Sequence, residues 1–144
     1  MKYTKPESKM VYEWMIKNYP NDLQWRRVRV GPLPGKEPDK LYGVLRRWVD
    51  GLIVTKTKVI IVEAKVKPDP GAISQLEVYR LLFPETPEFS SLKKRKIELV
   101  FLTSSKDPIL YKLAKQKKIR YVVYCPKWLK EYLEEKAKRY IEKK

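Results

Sequence analysis

Apolar positions along this chain change their period several times, and each change marks an element. Met10, Val11, Trp14 and Met15 recur at the three-and-four spacing of one helical face, and Pro20 with Asn21-Asp22 stops that helix near Tyr19. Thr4-Lys5-Pro6-Glu7 ahead of it reads as a capping box with proline in the first turn. From Leu23 to Val30 apolar and basic residues alternate, the two-residue period of a strand. Gly31 to Lys40 contains three prolines and two glycines and reads as a loop. Strand patterning returns at Leu41 and continues through Arg46-Arg47-Trp48-Val49-Asp50-Gly51-Leu52-Ile53-Val54. Thr55 to Lys58 makes a hairpin connection into Val59-Ile60-Ile61-Val62-Glu63-Ala64-Lys65-Val66, whose β-branched apolar run predicts a strand in the middle of the sheet.

Asp69-Pro70 opens a second helix, Ala72 to about Phe83, and Pro84 closes it. A charged loop then leads to a strand from Ile97 to Leu102. Asp107-Pro108 caps a third helix to about Lys118, and Ile119 to Tyr124 is a last strand. The helix after Pro126 carries Trp128, Leu129, Tyr132, Leu133, Ala137, Tyr140 and Ile141 on one side, a stripe suited to a core or a homodimer contact. The order α-β-β-β-α-β-α-β-α predicts a single α/β domain over residues 1–144, with a mixed central sheet flanked by helices.

Charge narrows the partners. Lys and Arg number 33 against 17 Asp and Glu, a formal net charge of +16. Such an excess favours polyanions, nucleic acid first, because basic side chains displace counterions condensed on phosphates. No apolar run is long enough to span a bilayer and the N-terminus has no signal-peptide pattern, so a cytoplasmic protein without a membrane partner is expected. Histidine is absent and Cys125 is the sole cysteine. Imidazole chemistry, His-ligated zinc, an intramolecular disulfide and a multi-cysteine cluster are therefore excluded. Any metal must be hard and oxygen-ligated, Mg²⁺ or Mn²⁺. Asn and Gln occur only five times beside abundant Lys and Glu, a bias shared with heat-adapted proteins.

The candidate chemistry lies at the ends of two strands. Glu-x-Lys occurs four times, as Glu7/Lys9, Glu63/Lys65, Glu134/Lys136 and Glu142/Lys144. On a helix, residues two apart point about 200° away from each other, whereas on a strand they share a face. Only Glu63 and Lys65 fall on a strand, at the polar end of a buried run where a charge has to be paired, metal-bound or at the rim. Asp50, on the preceding strand, is folded back beside Glu63 by the hairpin. Two carboxylates and a lysine there can hold a divalent cation and position a water; a strand-end ion pair is the alternative.

Asp50, twelve intervening residues and Glu63-Ala64-Lys65 resemble the D…(D/E)-x-K signature of PD-(D/E)XK nucleases, although Val49 stands where the family name has proline. The α-β-β-β-α-β order from Thr4 to Leu102 is similar to that restriction-endonuclease-like αβββαβ core, and the remaining α-β-α is a C-terminal extension. The resemblance implies Asp50 and Glu63 as metal ligands with the Ala64 carbonyl, and Lys65 orienting the attacking water. It implies Mg²⁺ or Mn²⁺ as cofactor, DNA as partner and a deoxyribonuclease of repair, recombination or replication, with a viral or mobile element among the possible sources.

Two branches of that superfamily are similar in finer detail. The Trp48-Val49-Asp50 to Lys65 stretch resembles archaeal Holliday-junction resolvases, which also use a carboxylate on the first helix. Glu7 matches that position, and it is equally suited to be the capping-box partner of Thr4; Glu13 points away. Gln75 and Tyr79, spaced i, i+4 beside Leu76, Leu82 and Phe83, look like the Q-x-x-x-Y motif of RecB-type nucleases, which implies Gln75 at the catalytic site and Tyr79 against substrate. A core tyrosine with a partly exposed glutamine is the other reading. Arg46 and Arg47 are candidates for phosphate contacts, as are Arg26, Arg27, Arg29, the Lys93-Lys94-Arg95-Lys96 run and the Lys-rich C-terminus. A non-catalytic basic nucleic-acid-binding protein is the alternative function; it explains the charge but not the carboxylates at the strand end.

Overall fold

The computed structural model describes residues 5–33 and 46–143. Thr4, most of the proline-rich loop and the Leu41–Leu45 start of the expected second strand lie outside the described residues. Helix α1 (Pro6–Asn18) begins with Pro6, whose fixed φ suits a first helical position, and its N-cap is Lys5 with no side-chain cap bond. The capping box read at Thr4 and Glu7 falls partly outside the described residues, and Glu7 accepts instead from the Val66 amide. After α1, the Gln24 side chain donates to the Tyr19 carbonyl at 2.8 Å and turns the chain into β1 (Leu23–Val30).

Strands β2 (Arg47–Val54) and β3 (Lys58–Lys65) form the expected hairpin. The Thr55 hydroxyl accepts from the Thr57 and Lys58 amides and fixes the connection. Helix α2 (Pro70–Leu82) follows, with the Asp69 carboxylate accepting from the Gly71 amide at 2.8 Å. Where the sequence reads as a charged loop, two 3₁₀ turns form instead, Phe83–Glu85 and Pro87–Leu92. Prolines near both starts favour them, and Phe89 stacks on the buried Phe83 at 5.6 Å. Strand β4 (Lys96–Thr103), helix α3 (Pro108–Gln116), strand β5 (Ile119–Val123) and helix α4 (Lys127–Glu142) complete the order. Asp107 caps α3 by accepting from the Ile109 and Leu110 amides.

Among the described residues the sheet has five strands in the order β1-β2-β3-β4-β5. The first three are antiparallel neighbours and β3, β4 and β5 run parallel, so the sheet is mixed. The strand period sorts side chains onto two apolar layers. Ile60, Val62 and Ala64 face α1 and α4, where they pack with Met10, Val11, Trp14 and Leu129. Val59 and Ile61 face α2 and α3, against Ala72, Leu76, Tyr79 and Ala114. By the same alternation, Glu63 and Lys65 point to the α2 side.

Gly51 sets how closely α1 approaches β2. A Cβ there would lie 2.7 Å from Val11 Cγ1 and 2.8 Å from Met15 Sδ, so only glycine admits the helix at this depth. No helix of the described residues is long and apolar enough to cross a membrane.

Candidate active site

The antiparallel register puts Gly51 opposite Val62 and so brings Asp50 and Glu63 side by side. Asp50 Oδ2 accepts from the Ala64 amide at 2.9 Å, which fixes its carboxylate against the end of β3. Glu63 is 4% exposed, and its two oxygens have separate neighbours. Oε1 accepts from the Tyr79 hydroxyl at 3.1 Å, and Oε2 lies 3.9 Å from Lys65 Nζ. The same hydroxyl lies 3.0 Å from the Trp48 carbonyl and shares its single proton between the two acceptors, so Tyr79 ties α2 to both strands.

Burial and crowding dominate the electrostatics. Glu63 is pushed up to about 8, first by desolvation and next by the Asp50 charge; Tyr79 and Lys65 oppose this. Asp50 is also raised, mainly by burial, against the Ala64 amide and the nearby Lys65 and Arg27 cations. The two carboxyls share a hydrogen bond, so near neutral pH the pair keeps one proton. Tyr79 is raised as well, by burial and then by the Glu63 charge.

That donor set fits a hard divalent cation. A buried and a half-buried carboxylate that resist ionising together, beside the backbone of Ala64, would be relieved by a charge of +2 in place of the shared proton. Among the described residues no third carboxylate closes a larger metal-binding group with them. Asp50, Glu63 and the Ala64 carbonyl are accordingly the atoms that would hold Mg²⁺ or Mn²⁺.

The other sequence candidates fall into place around this pair. Glu7 Oε2 accepts from the Val66 amide at 3.2 Å and lines a cleft of about 270 Å³ with Lys65, Lys67 and Asp69. It reaches the end of β3 from the α1 side. Tyr79 is 3% exposed and spends its hydroxyl on Glu63, so it lies behind the carboxylates; the expectation that it contacts substrate is corrected accordingly. Gln75, read on an apolar face, is exposed instead and borders a shallow cleft of about 190 Å³ with Arg47, Ser74, Val78 and Tyr79. Arg46 departs from its expected role. Its guanidinium grips both oxygens of Glu88 at 2.8 and 2.9 Å with the side chain only 7% exposed, so it pins β2 to the 3₁₀ segment and not to phosphate. Arg47, its exposed neighbour, opens onto the Gln75 cleft.

Three features escape sequence reading. Arg27 takes a left-handed φ of 54° directly across from Asp50 and interrupts the β1–β2 ladder there. That conformation costs a non-glycine residue about 1–3 kcal/mol and is concentrated at functional sites. Trp48, 51% exposed, carries the Arg27 and Arg29 guanidinium groups 5.4 and 5.5 Å from its ring. Glu13, which the helical pattern turns away, binds α4 by accepting from the Tyr124 hydroxyl and the Trp128 indole at 2.7 and 2.8 Å. A recurrent aromatic after a carboxylate-bearing helix was the only signal in the sequence for that contact.

No family model matches this chain, and no curated protein matches it. Solved structures do. A repair endonuclease from Pyrococcus abyssi superposes with a TM-score of 0.50 at 14% identity, over 88% of this chain and 50% of that one. EndoMS in a complex with double-stranded DNA superposes with a TM-score of 0.51 at 11% identity, over 88% of this chain and 47% of that one. This chain thus spans about half the length of either protein. The five-stranded mixed sheet with its flanking helices is the fold that this chain shares with these two proteins.

Proposed function

We propose that this protein is a metal-dependent deoxyribonuclease. The observation that carries the reading is the convergence of Asp50, Glu63 and Lys65 at one sheet end, with Glu63 buried and Asp50 half-buried beside it. A strand-end ion pair would gain nothing from a second carboxylate, which only adds repulsion. A bound divalent cation supplies Lewis-acid charge at the scissile phosphate and lowers the cost of ionising water. Lys65, with its side chain about one-third exposed, faces the cleft where it can hold and orient the attacking water. The water oxygen forms a new bond to phosphorus as the P–O ester bond breaks, and the departing oxygen takes up a proton. Tyr79 keeps Glu63 in the rotamer that faces Asp50. Arg27 and Arg29, stacked on the exposed Trp48, and Arg47 beside Gln75 are the proposed contacts for a phosphate backbone.

DNA as the substrate is supported by the +16 charge and by the fold shared with a DNA-bound endonuclease; DNA repair is the proposed setting, by likeness to the Pyrococcus repair endonuclease. Incubating the protein with single-stranded, duplex and branched DNA in Mg²⁺, in Mn²⁺ and in EDTA tests this directly. Cleavage in either metal and none in EDTA is expected. Binding without cleavage in every metal would leave the non-catalytic nucleic-acid-binding reading in its place.

The Gln75 cleft gives a narrower expectation. Because Gln75 is exposed beside Tyr79 and Arg47, Gln75→Ala should slow cleavage by roughly tenfold or more, as loss of a positioned polar group does. Its melting temperature should stay within about a degree of wild type, since exposed substitutions cost little. Wild-type cleavage by this variant at equal folded fraction would remove Gln75 from the site and leave Asp50, Glu63 and Lys65 untouched.

A further inference from the structure

The first half of helix α4 is anchored in the fold. Leu129 is fully buried, Trp128 binds Glu13, and Lys9 lies 4.3 Å from the Trp128 ring. Beyond Leu133 every described residue, 134–143, is exposed.

The distribution of charge on this exposed half indicates what kind of partner its surface suits. Lys136 lines the cleft that also holds Glu7, Lys65 and Lys67, so α4 forms a wall of the cleft that adjoins the candidate active site at Lys65. The residues that share its helical face are spaced i, i+3, i+4 and i+7: Arg139, Tyr140 and Lys143, with Tyr132 and Leu133 one turn earlier. That face carries three cations and no carboxylate. Glu131, Glu134, Glu135 and Glu142 all fall on the remaining faces of α4, together with Lys127, Lys130 and Lys138. Lys136 lies 5.9 Å from the Tyr132 ring, and Arg139 is held from its flank by Glu135 at 3.4 Å, an exposed i,i+4 pair that a phosphate replaces at little cost.

We infer that this stripe is a docking surface for the nucleic-acid backbone, continuing the substrate path outward from Lys65 along α4. The inference rests on the nuclease reading for the identity of the polyanion, and adds the direction in which the substrate leaves the site. From Lys136 to Lys143 the helix advances about 10 Å, which matches about three nucleotide steps of one strand. A second copy of this chain would be a poorer occupant, because the three cations would meet their own kind across a symmetric contact.

The test uses two charge-matched variants of the whole chain. One is Lys136→Gln/Arg139→Gln/Lys143→Gln, on the stripe; the other is Lys127→Gln/Lys130→Gln/Lys138→Gln, on the other faces. Glutamine preserves helix propensity, so both should fold. Binding to a long mixed-sequence duplex is measured in Ca²⁺ over a range of salt, and cleavage is read separately in Mg²⁺. The stripe variant should lose about tenfold or more in affinity, and its log–log salt slope should become shallower by about 2.7, the value for three phosphate contacts. The control should change the slope by less than about one. Equal slopes in the two variants, or a dimer in wild type that the stripe variant converts to monomer without altering the slope, would overturn the inference. Cleavage by wild type alongside equal slopes would spare the nuclease reading. Stripe-dependent binding without cleavage by wild type would support the docking surface and sink the nuclease reading instead.

Discussion

Glu63→Gln should lose cleavage by about 10²–10³-fold or more, the scale seen when one preorganised electrostatic group is removed, while making the metal-free protein more stable at pH 8. The two effects have one origin. In the native state Glu63 is pushed up from 4.5 to about 8 by burial and by Asp50. Below about pH 4.5 native and unfolded chains both hold this proton and the group contributes nothing to the pH dependence. As pH rises from there towards 8 the unfolded chain gives the proton up and the native chain keeps it, so native stability falls across that window. Above pH 8 the full penalty is present, on the order of a few kcal/mol. Glutamine carries no such penalty and can still accept from Tyr79. Thermal melts of wild type without metal should therefore fall between pH 5 and pH 8, and those of Glu63→Gln should fall much less. Mg²⁺ should raise the wild-type melting temperature and leave the variant almost unmoved. Cleavage by Glu63→Gln within tenfold of wild type, or a lower melting temperature than wild type at pH 8, would refute the assignment.

The next largest effect is expected at Tyr79. Its ring is packed among Val49, Leu52, Ile61 and Leu76, and its hydroxyl bridges Glu63 and the Trp48 carbonyl. Tyr79→Ala should destabilise the fold by about 3–5 kcal/mol, measured by urea denaturation, because a large buried aromatic leaves a cavity that the sheet cannot close. Tyr79→Phe separates the ring from the hydroxyl. It retains the packing but withdraws the donor that favours the ionised form of Glu63, so the acidic limb of the cleavage pH profile should move to higher pH. An unshifted profile in Tyr79→Phe would reduce Tyr79 to a packing residue.

Sequence reasoning located Asp50, Glu63 and Lys65 because their relation is local. Residues 63 and 65 share a face by the strand period, and a short hairpin suffices to return Asp50 to them. The element order was legible for the same reason: each period is written within a dozen residues. Relations across the chain were not. Arg46 and Arg47 look alike in sequence, and only the arrival of Glu88 from 42 residues away makes the first structural. Tyr79 on an apolar helix face reads as core or as substrate contact. Its hydroxyl finds Glu63 because α2 crosses β3 at that depth. The segment after Phe83 reads as loop by its charge, yet Pro84 and Pro87 preset the φ of two tight 3₁₀ turns. The left-handed Arg27 leaves no trace in sequence, since arginine is not a residue that signals that conformation.

The hairpin that joins the two carboxylates also bears on how the chain folds. Asp50 and Glu63 meet across a connection running only from Thr55 to Lys58, whereas β3 must wait for α2 and two 3₁₀ turns before β4 can pair with it. Short-range pairing precedes long-range pairing because less chain entropy is lost in closing the loop. Two like charges are thus brought together at an early stage, before the surrounding layers are in place. Burial supplies the larger part of the penalty on Glu63, so the cost of this pair falls on the later step in which α2 closes over the hairpin.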